Sequence, residues 1–447
     1  MAAGIGLGID ESYMVAAGRG PLQLGYFDHP LMSWWMARGM ADLAGSEAAV
    51  VVRLPFIALF AVSTWLMARL GTALSTPRGG LWAAIAFNLS PVFGVTTGGW
   101  VLPDGPLVAS LLAMVLCLLR ALPTPGWRWW LAAGLFAGVA MLSKYTASLS
   151  ILGGIGFVAS DRAHRRWLAR PQPYVAALLA ALVFSPTLVW NMQHGWASLA
   201  FQGGRATANR LHLAGPLITF AGEALYLLPW IWLGLLMCLG RGFAGRDWRV
   251  LLLCWLAAPP ILLFAGVSLW SRQVLFHWAA PGYLMLFPLL GAWLADRAWA
   301  PRAARATAAL LATVAMACVV LVRSDWRLPG SDPLLQARTW SALRPALTPL
   351  RLPIAATSWS DAGKVAIGMG AANPVFCLNP DAREFAFSTT PPPSGDVVVV
   401  APGHSLAQMH AAYDAVFTAI EPLPPVRVGA SDLAVYIGHG LRGWPHR

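Results

Sequence analysis

Charged side chains are scarce in this sequence: Asp, Glu, Lys and Arg together make up 11% of its 447 residues. A soluble chain carries roughly 25%, so this deficit excludes an ordinary soluble globular protein. Hydrophobic residues instead make up 57% of the chain, with 23 tryptophans and a mean hydropathy of +0.60. These values indicate an α-helical polytopic membrane protein, in which lipid surrounds the apolar segments.

Lysine is almost absent, and two common site motifs are missing. Of the 31 Lys and Arg residues, only Lys144 and Lys364 are lysines. The five cysteines show no CxxC or other paired spacing, which argues against a disulfide framework and a zinc site. The glycine run at 4–8 has no strand–turn–helix context, so it does not predict a nucleotide-binding loop.

The net charge of +12 does not indicate a nucleic-acid partner. Successive short loops between apolar runs lie on opposite faces of the membrane. Most arginines lie in the loops of one face, and the positive-inside rule assigns that face to the cytoplasm. This bias places the loops that carry acidic residues and histidines on the extracytoplasmic side. We therefore expect a multi-pass protein of the cell (inner) membrane that contacts the lipid bilayer and no nucleic acid.

Long apolar runs predict about ten spans within a helical bundle at 48–323. They lie at 48–74, 79–98, 104–121, 129–143, 145–160, 173–191, 215–239, 249–270, 276–296 and 305–323. Residues 1–47 are expected to form an extracytoplasmic first loop with an acidic motif and juxtamembrane helices. The apolar stretch Met1–Ile9 is too short to cross a bilayer and looks like the end of a longer segment. We expect an upstream membrane helix that this sequence lacks.

The pattern changes after about Arg323. Pro and Gly punctuate the chain, and short β-branched runs predict strands at 353–357, 374–378, 396–401 and 433–437. Between them, 361–370 and 405–417 predict helices, the first with Asp361 as its N-cap. We predict that 324–447 form a small extracytoplasmic α/β domain.

Two acidic motifs precede the first long span. Asp10 and Glu11 either occupy a helix N-terminus, where acidic side chains are favourable, or supply a general base to an attacking hydroxyl. Asp28 and His29 either start a helix at the following proline or bind substrate. In the second case Tyr26 would offer an aromatic platform to a sugar or a lipid.

Lys144 lies between two apolar runs, where an ionisable side chain is costly and indicates function. It either snorkels to the interface or holds an anionic headgroup, most naturally a phosphate. Arg272 and His277 are candidates for the same phosphate, with interfacial anchoring as the alternative. Asp104 is either only a helix cap or a functional group that faces the same side of the membrane as Asp10.

An outer loop contains His194 and Trp196. Its aromatic and polar mixture suits carbohydrate binding, or else it belongs to the interfacial aromatic belt.

Taken in this order, the motifs resemble the integral-membrane GT-C glycosyltransferases of the protein O-mannosyltransferase and aminoarabinose-transferase superfamily. The residues that carry the resemblance are Asp10-Glu11, Gly25-Tyr26-Phe27-Asp28-His29-Pro30, Pro103-Asp104-Gly105-Pro106, Leu142-Ser143-Lys144-Tyr145-Thr146, Trp190-Asn191, His194-Gly195-Trp196 and His277-Trp278-Ala279-Ala280-Pro281-Gly282-Tyr283. The resemblance covers most of the membrane part, and 324–447 looks like the soluble domain of bacterial members.

The resemblance implies sugar transfer from a polyprenyl-phosphate-linked donor to a glycan, lipid or protein acceptor on the outer membrane face. It implies that Asp10 is the base or catalytic carboxylate, Glu11 its companion, Asp104 the second acidic position and Lys144 the donor-phosphate contact. The expected mechanism is a single inverting displacement. A divalent metal is compatible with this chemistry, although no ligand cluster is visible in the sequence.

Two other hypotheses compete with sugar transfer. A membrane transporter or lipid flippase would use Lys144 and the aspartates as a polar pathway. Transporters usually contain internal repeats with discontinuous helices, and the sequence shows no such halves. An inactive scaffold is the third hypothesis.

Overall fold

The computed structural model describes residues 5–205, 210–271, 274–324, 332 and 334–445. These residues form two compact units. The first, here called the sheet unit, contains the described parts of Met1–Leu22, Trp34–Leu54 and Ala312–Arg447. The second, the helical unit, contains the described parts of Gln23–Ser33 and Pro55–Leu311. The predicted division at residues 47 and 323 stays a prediction.

Most described residues before Arg323 are helical. The α-helices of the chain are Ile9–Ala17, Met32–Ala44, Ala49–Leu74, Pro77–Asn88, Asp104–Ala121, Trp127–Ser143, Ala147–Ser160, Pro171–Gln193, Ala197–Gly204, Gly215–Leu227, Pro229–Ala244, Trp248–Val267, Ala280–Leu284, Phe287–Ala295, Ala300–Arg323, Leu343–Leu347, Trp359–Met369, Phe385–Ser388 and Leu406–Tyr413. The described residues also form a π-helical segment, Val92–Thr97, and the 3₁₀ segments Arg165–Ala169, Leu335–Ala337 and Thr348–Leu350.

Within the described residues, five helices are long and apolar enough to cross a membrane: Ala49–Leu74, Asp104–Ala121, Pro171–Gln193, Trp248–Val267 and Ala300–Arg323. A bent helix pair raises the number to six if it counts as one span. Shorter apolar helices lie at Ala147–Ser160 and Ala280–Ala295. The chain is therefore a multi-pass membrane protein, while the predicted count of about ten spans is not confirmed.

The run predicted as one span at 215–239 is broken. Gly215–Leu227 and Pro229–Ala244 meet at an angle of 112°. The junction residue Leu228 has φ +72°, outside the helical region. Proline disfavours helical backbone at the residue before it, so Pro229 explains the break, which hydropathy alone does not reveal. We call these two helices the bent pair.

The sheet unit contains a five-stranded sheet, so the predicted small C-terminal α/β structure is confirmed. Its strands are β1 (Ile354–Ala356), β2 (Val375–Cys377), β3 (Val397–Val400), β4 (Ala419–Val428) and β5 (Ser431–His439). Their order is β2-β1-β3-β5-β4. β1 pairs in parallel with β2 and β3, whereas β5 is antiparallel to β3 and β4.

Two details of the sheet unit differ from the sequence prediction. β4 was not predicted, because Pro422, Pro424 and Pro425 interrupt its pattern. Proline is tolerated there since β4 is an edge strand and carries an irregularity between Leu423 and Val426. The predicted Asp361 cap is also wrong: the helix Trp359–Met369 starts after Ser358, whose Oγ accepts from the Asp361 nitrogen.

The N-terminal helix Ile9–Ala17 packs on the helix Trp359–Met369 inside the sheet unit. Gly363 makes this close approach possible, since a Cβ there would lie 2.7 Å from the Tyr13 backbone nitrogen. The Tyr13 ring contacts Trp359 and Phe385, with ring centroids 5.1 and 5.8 Å away. The segment that carries the first acidic motif therefore packs against the C-terminal part of the sheet unit.

We expect Gly363→Ala to lower the thermal unfolding temperature of the detergent-solubilised protein, at a cost of about 1–3 kcal/mol from overpacking. Gly39→Ala is the matched control, because Gly39 is also helical in this unit and a Cβ there meets no atom within 4 Å. The control should be neutral or slightly stabilising. Equal effects of the two substitutions would contradict the proposed close contact.

Candidate active site

The first acidic motif lies in the opening turn of the helix Ile9–Ala17. Glu11 forms a bidentate ion pair with Arg53, with Nε–Oε1 at 2.7 Å and Nη2–Oε2 at 2.5 Å. Both residues are buried, at 1% and 2% exposure. Glu11 also accepts from the Gly8 nitrogen at 2.8 Å, as in a capping box. The carboxylate of Glu11 is thus held by a cation and by the helix start.

These contacts favour an anchoring role for Glu11 over the predicted catalytic one. Asp10, the preceding residue, is exposed, so the two carboxylates of the motif lie in different environments. Arg53 was missed by the sequence analysis. An arginine at the start of an apolar run is a costly group that needs a partner, and that signal could have identified it.

Lys364 holds the chain just before Asp10. Its Nζ donates to the backbone oxygens of Leu7, Gln336 and Arg338 at 2.8, 2.9 and 2.8 Å. Burial lowers the pKa of Lys364 to about 8. Three carbonyl acceptors satisfy all three ammonium protons, so this lysine ties the N-terminal segment to the C-terminal part of the same unit.

In the helical unit, Asp104 and Lys144 form an ion pair. Nζ lies 3.0 Å from Oδ1 and 3.1 Å from Oδ2, and the side chains are 13% and 8% exposed. Asp104 is the first residue of the helix Asp104–Ala121, and Pro103 occupies the N-cap position. Asp104 is therefore not the helix cap, and its carboxylate binds Lys144 instead.

Lys144 follows the last residue of the helix Trp127–Ser143 and has extended backbone, with φ −156° and ψ 134°. The next helix begins at Ala147. Lys144 thus lies between two helices, as the two apolar runs around it predicted, and the break between these helices presents the ammonium group to Asp104.

Two histidines lie within electrostatic range of this pair, and an arginine lies within electrostatic range of one of these histidines. His29 and His277 interact with the Asp104 carboxylate, and His277 also interacts with Lys144 and Arg205. The Arg205 guanidinium lies over the Trp278 ring, 4.4 Å from its centroid. Arg205 was not among the predicted site residues. Arg272, which was predicted to assist Lys144, lies outside the described residues.

A second polar cluster begins one residue after Lys144. The Tyr145 hydroxyl lies 2.7 Å from Ser198 Oγ, and Asn191 Nδ2 donates to it at 3.4 Å. The buried Asp28 interacts electrostatically with this tyrosine, and the Asp28 backbone oxygen accepts from Gln202. Asp28 therefore lies in the same unit as Lys144 and near its neighbour, as a substrate-binding role would require.

The remaining predicted substrate-binding residues make local contacts. Tyr26 is 1% exposed and its hydroxyl accepts from the Gln23 nitrogen at 3.4 Å. His194 stacks on Trp190, with ring centroids 4.2 Å apart, and its Nδ1 lies 2.8 Å from the Trp190 oxygen. Trp196 is 47% exposed. Their substrate roles stay predictions.

A divalent metal is compatible with the predicted sugar-transfer chemistry. Throughout the part of the chain that the structure describes, no group of three or more His, Cys, Asp or Glu side chains is arranged to hold a metal ion.

We expect Glu11→Leu and Arg53→Met each to destabilise the protein by about 3–5 kcal/mol, because each leaves the buried charge of its partner uncompensated. Thermal unfolding of the single variants and of the combined Glu11→Leu/Arg53→Met variant checks this. The combined loss should be clearly smaller than the sum of the single losses. Additive losses would show that the two side chains do not act as a pair.

Comparison with known proteins supports the sequence resemblance. Residues 28–190 match the model of the dolichyl-phosphate-mannose-protein mannosyltransferase family. Over 323 residues the chain is 25% identical to the lipid A galacturonosyltransferase RgtD of Rhizobium johnstonii. This match covers 70% of the present chain and 66% of RgtD, so it spans slightly less than two thirds of that relative.

The fold is similar to that of ArnT from Cupriavidus metallidurans. The apo crystal structure matches with a TM-score of 0.67 at 12% identity, over 97% of this chain and 94% of ArnT. The structure bound to undecaprenyl phosphate matches with a TM-score of 0.66 at 14% identity, over 98% and 94%. At these identities the likeness concerns the fold alone. The predicted recognition is confirmed as a similarity: in sequence this chain is similar to a mannosyltransferase family model and to a lipid A galacturonosyltransferase, and in fold it is similar to ArnT.

Proposed function

We propose that this chain transfers a sugar from a polyprenyl-phosphate-linked donor to a hydroxyl or amine of an acceptor. The observation that carries the proposal is the Asp104–Lys144 pair, with His277 in electrostatic range of the pair and Arg205 in range of His277. Fixed cations in a poorly solvated region bind a phosphate group strongly. The undecaprenyl phosphate bound to ArnT, a protein of the same fold, supports this donor class.

In this mechanism Lys144 holds the donor phosphate, and Asp104 keeps the ammonium group charged and oriented before the donor arrives. As the bond between the anomeric carbon and the phosphate oxygen breaks, negative charge grows on the phosphate. A fixed cation stabilises that charge more in the transition state than in the ground state, and therefore raises the rate.

Asp10 is the proposed general base, an assignment that comes from the family resemblance. Its carboxylate takes the proton of the acceptor hydroxyl, and the oxygen attacks the anomeric carbon. The polyprenyl phosphate leaves with the electron pair of the broken bond, so a single displacement inverts the anomeric centre. The Glu11–Arg53 pair and Lys364 support this role because they anchor the segment on either side of Asp10.

We place the reaction on the extracytoplasmic face of the inner membrane, since the arginine-rich loops favour the cytoplasm. The proposed acceptor is a lipid, because the relative RgtD acts on lipid A.

The proposed bundle has about ten spans. Four shorter helices would join the five long helices and the bent pair: Pro77–Asn88, Trp127–Ser143, Ala147–Ser160 and Ala280–Ala295. The similarity in sequence to glycosyltransferases favours this enzyme over the transporter hypothesis.

Asp10→Asn should reduce sugar transfer by about 10²- to 10⁴-fold, the usual contribution of a general base. The measurement is transfer of label from a polyprenyl-phosphate sugar in membranes that contain the variant. Asp42→Asn is the control, because Asp42 is an exposed carboxylate of the same unit that pairs with Arg38. Unchanged transfer by Asp10→Asn in folded protein would remove Asp10 from the mechanism.

Lys144→Met should raise the donor concentration needed for half-maximal transfer by roughly ten- to hundredfold, the range of a lost charge-assisted contact. Lys144→Arg retains a cation and should lose less. Arg210→Met removes an exposed cation of the same unit and serves as the control. Initial rates measured over a range of donor concentrations distinguish these variants. An unchanged half-maximal donor concentration in Lys144→Met would refute the phosphate role.

A further inference from the structure

A buried carboxyl group lies in the bent pair, in a position that the proposed mechanism does not use. Glu223 is 1% exposed. Its Oε2 accepts from the Tyr283 hydroxyl at 2.6 Å, and the same hydroxyl accepts from Trp232 Nε1 at 3.0 Å. Trp232 belongs to the second helix of the pair and Tyr283 to the helix Ala280–Leu284. One hydrogen-bonded chain therefore joins three helices of the helical unit.

The surroundings of Glu223 indicate a neutral carboxylic acid. Oε1 is buried and has no hydrogen-bond partner among the described residues. Within the same part of the chain, Glu223 forms no ion pair with any Lys, Arg or His. An ionised carboxylate with an unsatisfied oxygen would be very costly in an apolar segment. In the neutral form, Oε2 still accepts from Tyr283.

Glu223 also adjoins a close contact with the segment that carries His277. A Cβ at Gly222 would lie 2.2 Å from the Phe276 ring, so the first helix of the bent pair packs directly on that ring. Phe276 and Tyr283 are thus held by neighbouring residues of one helix. His277 lies between these two attachment points in sequence, and it interacts electrostatically with Asp104 and Lys144.

We propose that Glu223 is a positioning residue that acts as a neutral hydrogen-bond acceptor for Tyr283 and thereby holds the segment that carries His277, within electrostatic range of the Asp104–Lys144 pair. The consequence for donor binding rests on the proposed function, whereas the placement of His277 does not. Nothing in the role requires a negative charge on Glu223. The residue therefore differs from the catalytic and phosphate-binding groups, which act through charge.

The geometric part is tested by labelling the full-length, detergent-solubilised protein with diethyl pyrocarbonate. Mass spectrometry gives the modification rate at His277 relative to the exposed His410. Glu223→Leu and Tyr283→Phe should each change this relative rate at least about threefold, because a lost buried hydrogen bond frees the segment. Glu223→Gln should retain the wild-type rate, since its amide oxygen accepts from Tyr283.

Thr307→Val is the matched control for this experiment. It removes another hydrogen bond of the bent pair, between Trp230 Nε1 and Thr307 Oγ1 at 3.1 Å, in a part of the unit without a described contact to His277. Its labelling rate should equal that of wild type. If Glu223→Leu behaves like this control, or if Glu223→Gln is as disturbed as Glu223→Leu, the proposal is overturned.

The functional part is tested by binding of undecaprenyl phosphate, measured by native mass spectrometry. Glu223→Leu and Tyr283→Phe should weaken binding by up to about tenfold, while Glu223→Gln and Thr307→Val keep the wild-type affinity. Wild-type affinity in Glu223→Leu would overturn the link to donor binding. If wild type itself does not bind the lipid phosphate, the proposed function fails, and the labelling result still decides the placement of His277.

Discussion

The helical unit depends on one electrostatic constraint: a charge surrounded by apolar helices must have a partner, because desolvation makes an isolated ion very costly. Asp104 and Lys144 satisfy this requirement for each other. Both lie at helix ends, where the chain can direct a charged side chain away from lipid. An anion that arrives at Lys144 meets a cation that is already desolvated and oriented, so less reorganisation is needed when charge develops.

The same constraint organises the sheet unit. Glu11 and Arg53 neutralise each other in the core, and Lys364 is satisfied by three carbonyl oxygens. Both lysines of the chain are buried, at 6% exposure for Lys144 and 3% for Lys364. The scarce lysines thus serve specific internal contacts, whereas arginine supplies most of the surface charge that orients a membrane protein.

Several features of this fold could be predicted from local pattern. The runs at 104–121 and 48–74 match the helices Asp104–Ala121 and Ala49–Leu74, because hydropathy reports directly on lipid burial. The short strands of the sheet were also largely predicted. The bent pair and β4 were not predicted, since proline interrupts or masks the pattern in both, and the effect of proline depends on whether the backbone lies at a sheet edge or in a helix break.

The sequence by itself determined the membrane class, the order of the polar motifs and the superfamily resemblance, because composition and motif order are properties of the chain alone. The tertiary structure decided which polar groups are partners. Glu11 meets Arg53 42 positions away, Asp104 meets Lys144 40 positions away, and Glu223 meets Tyr283 60 positions away. Spacing marks a buried polar residue as costly, but only the packing of helices determines which distant group satisfies it.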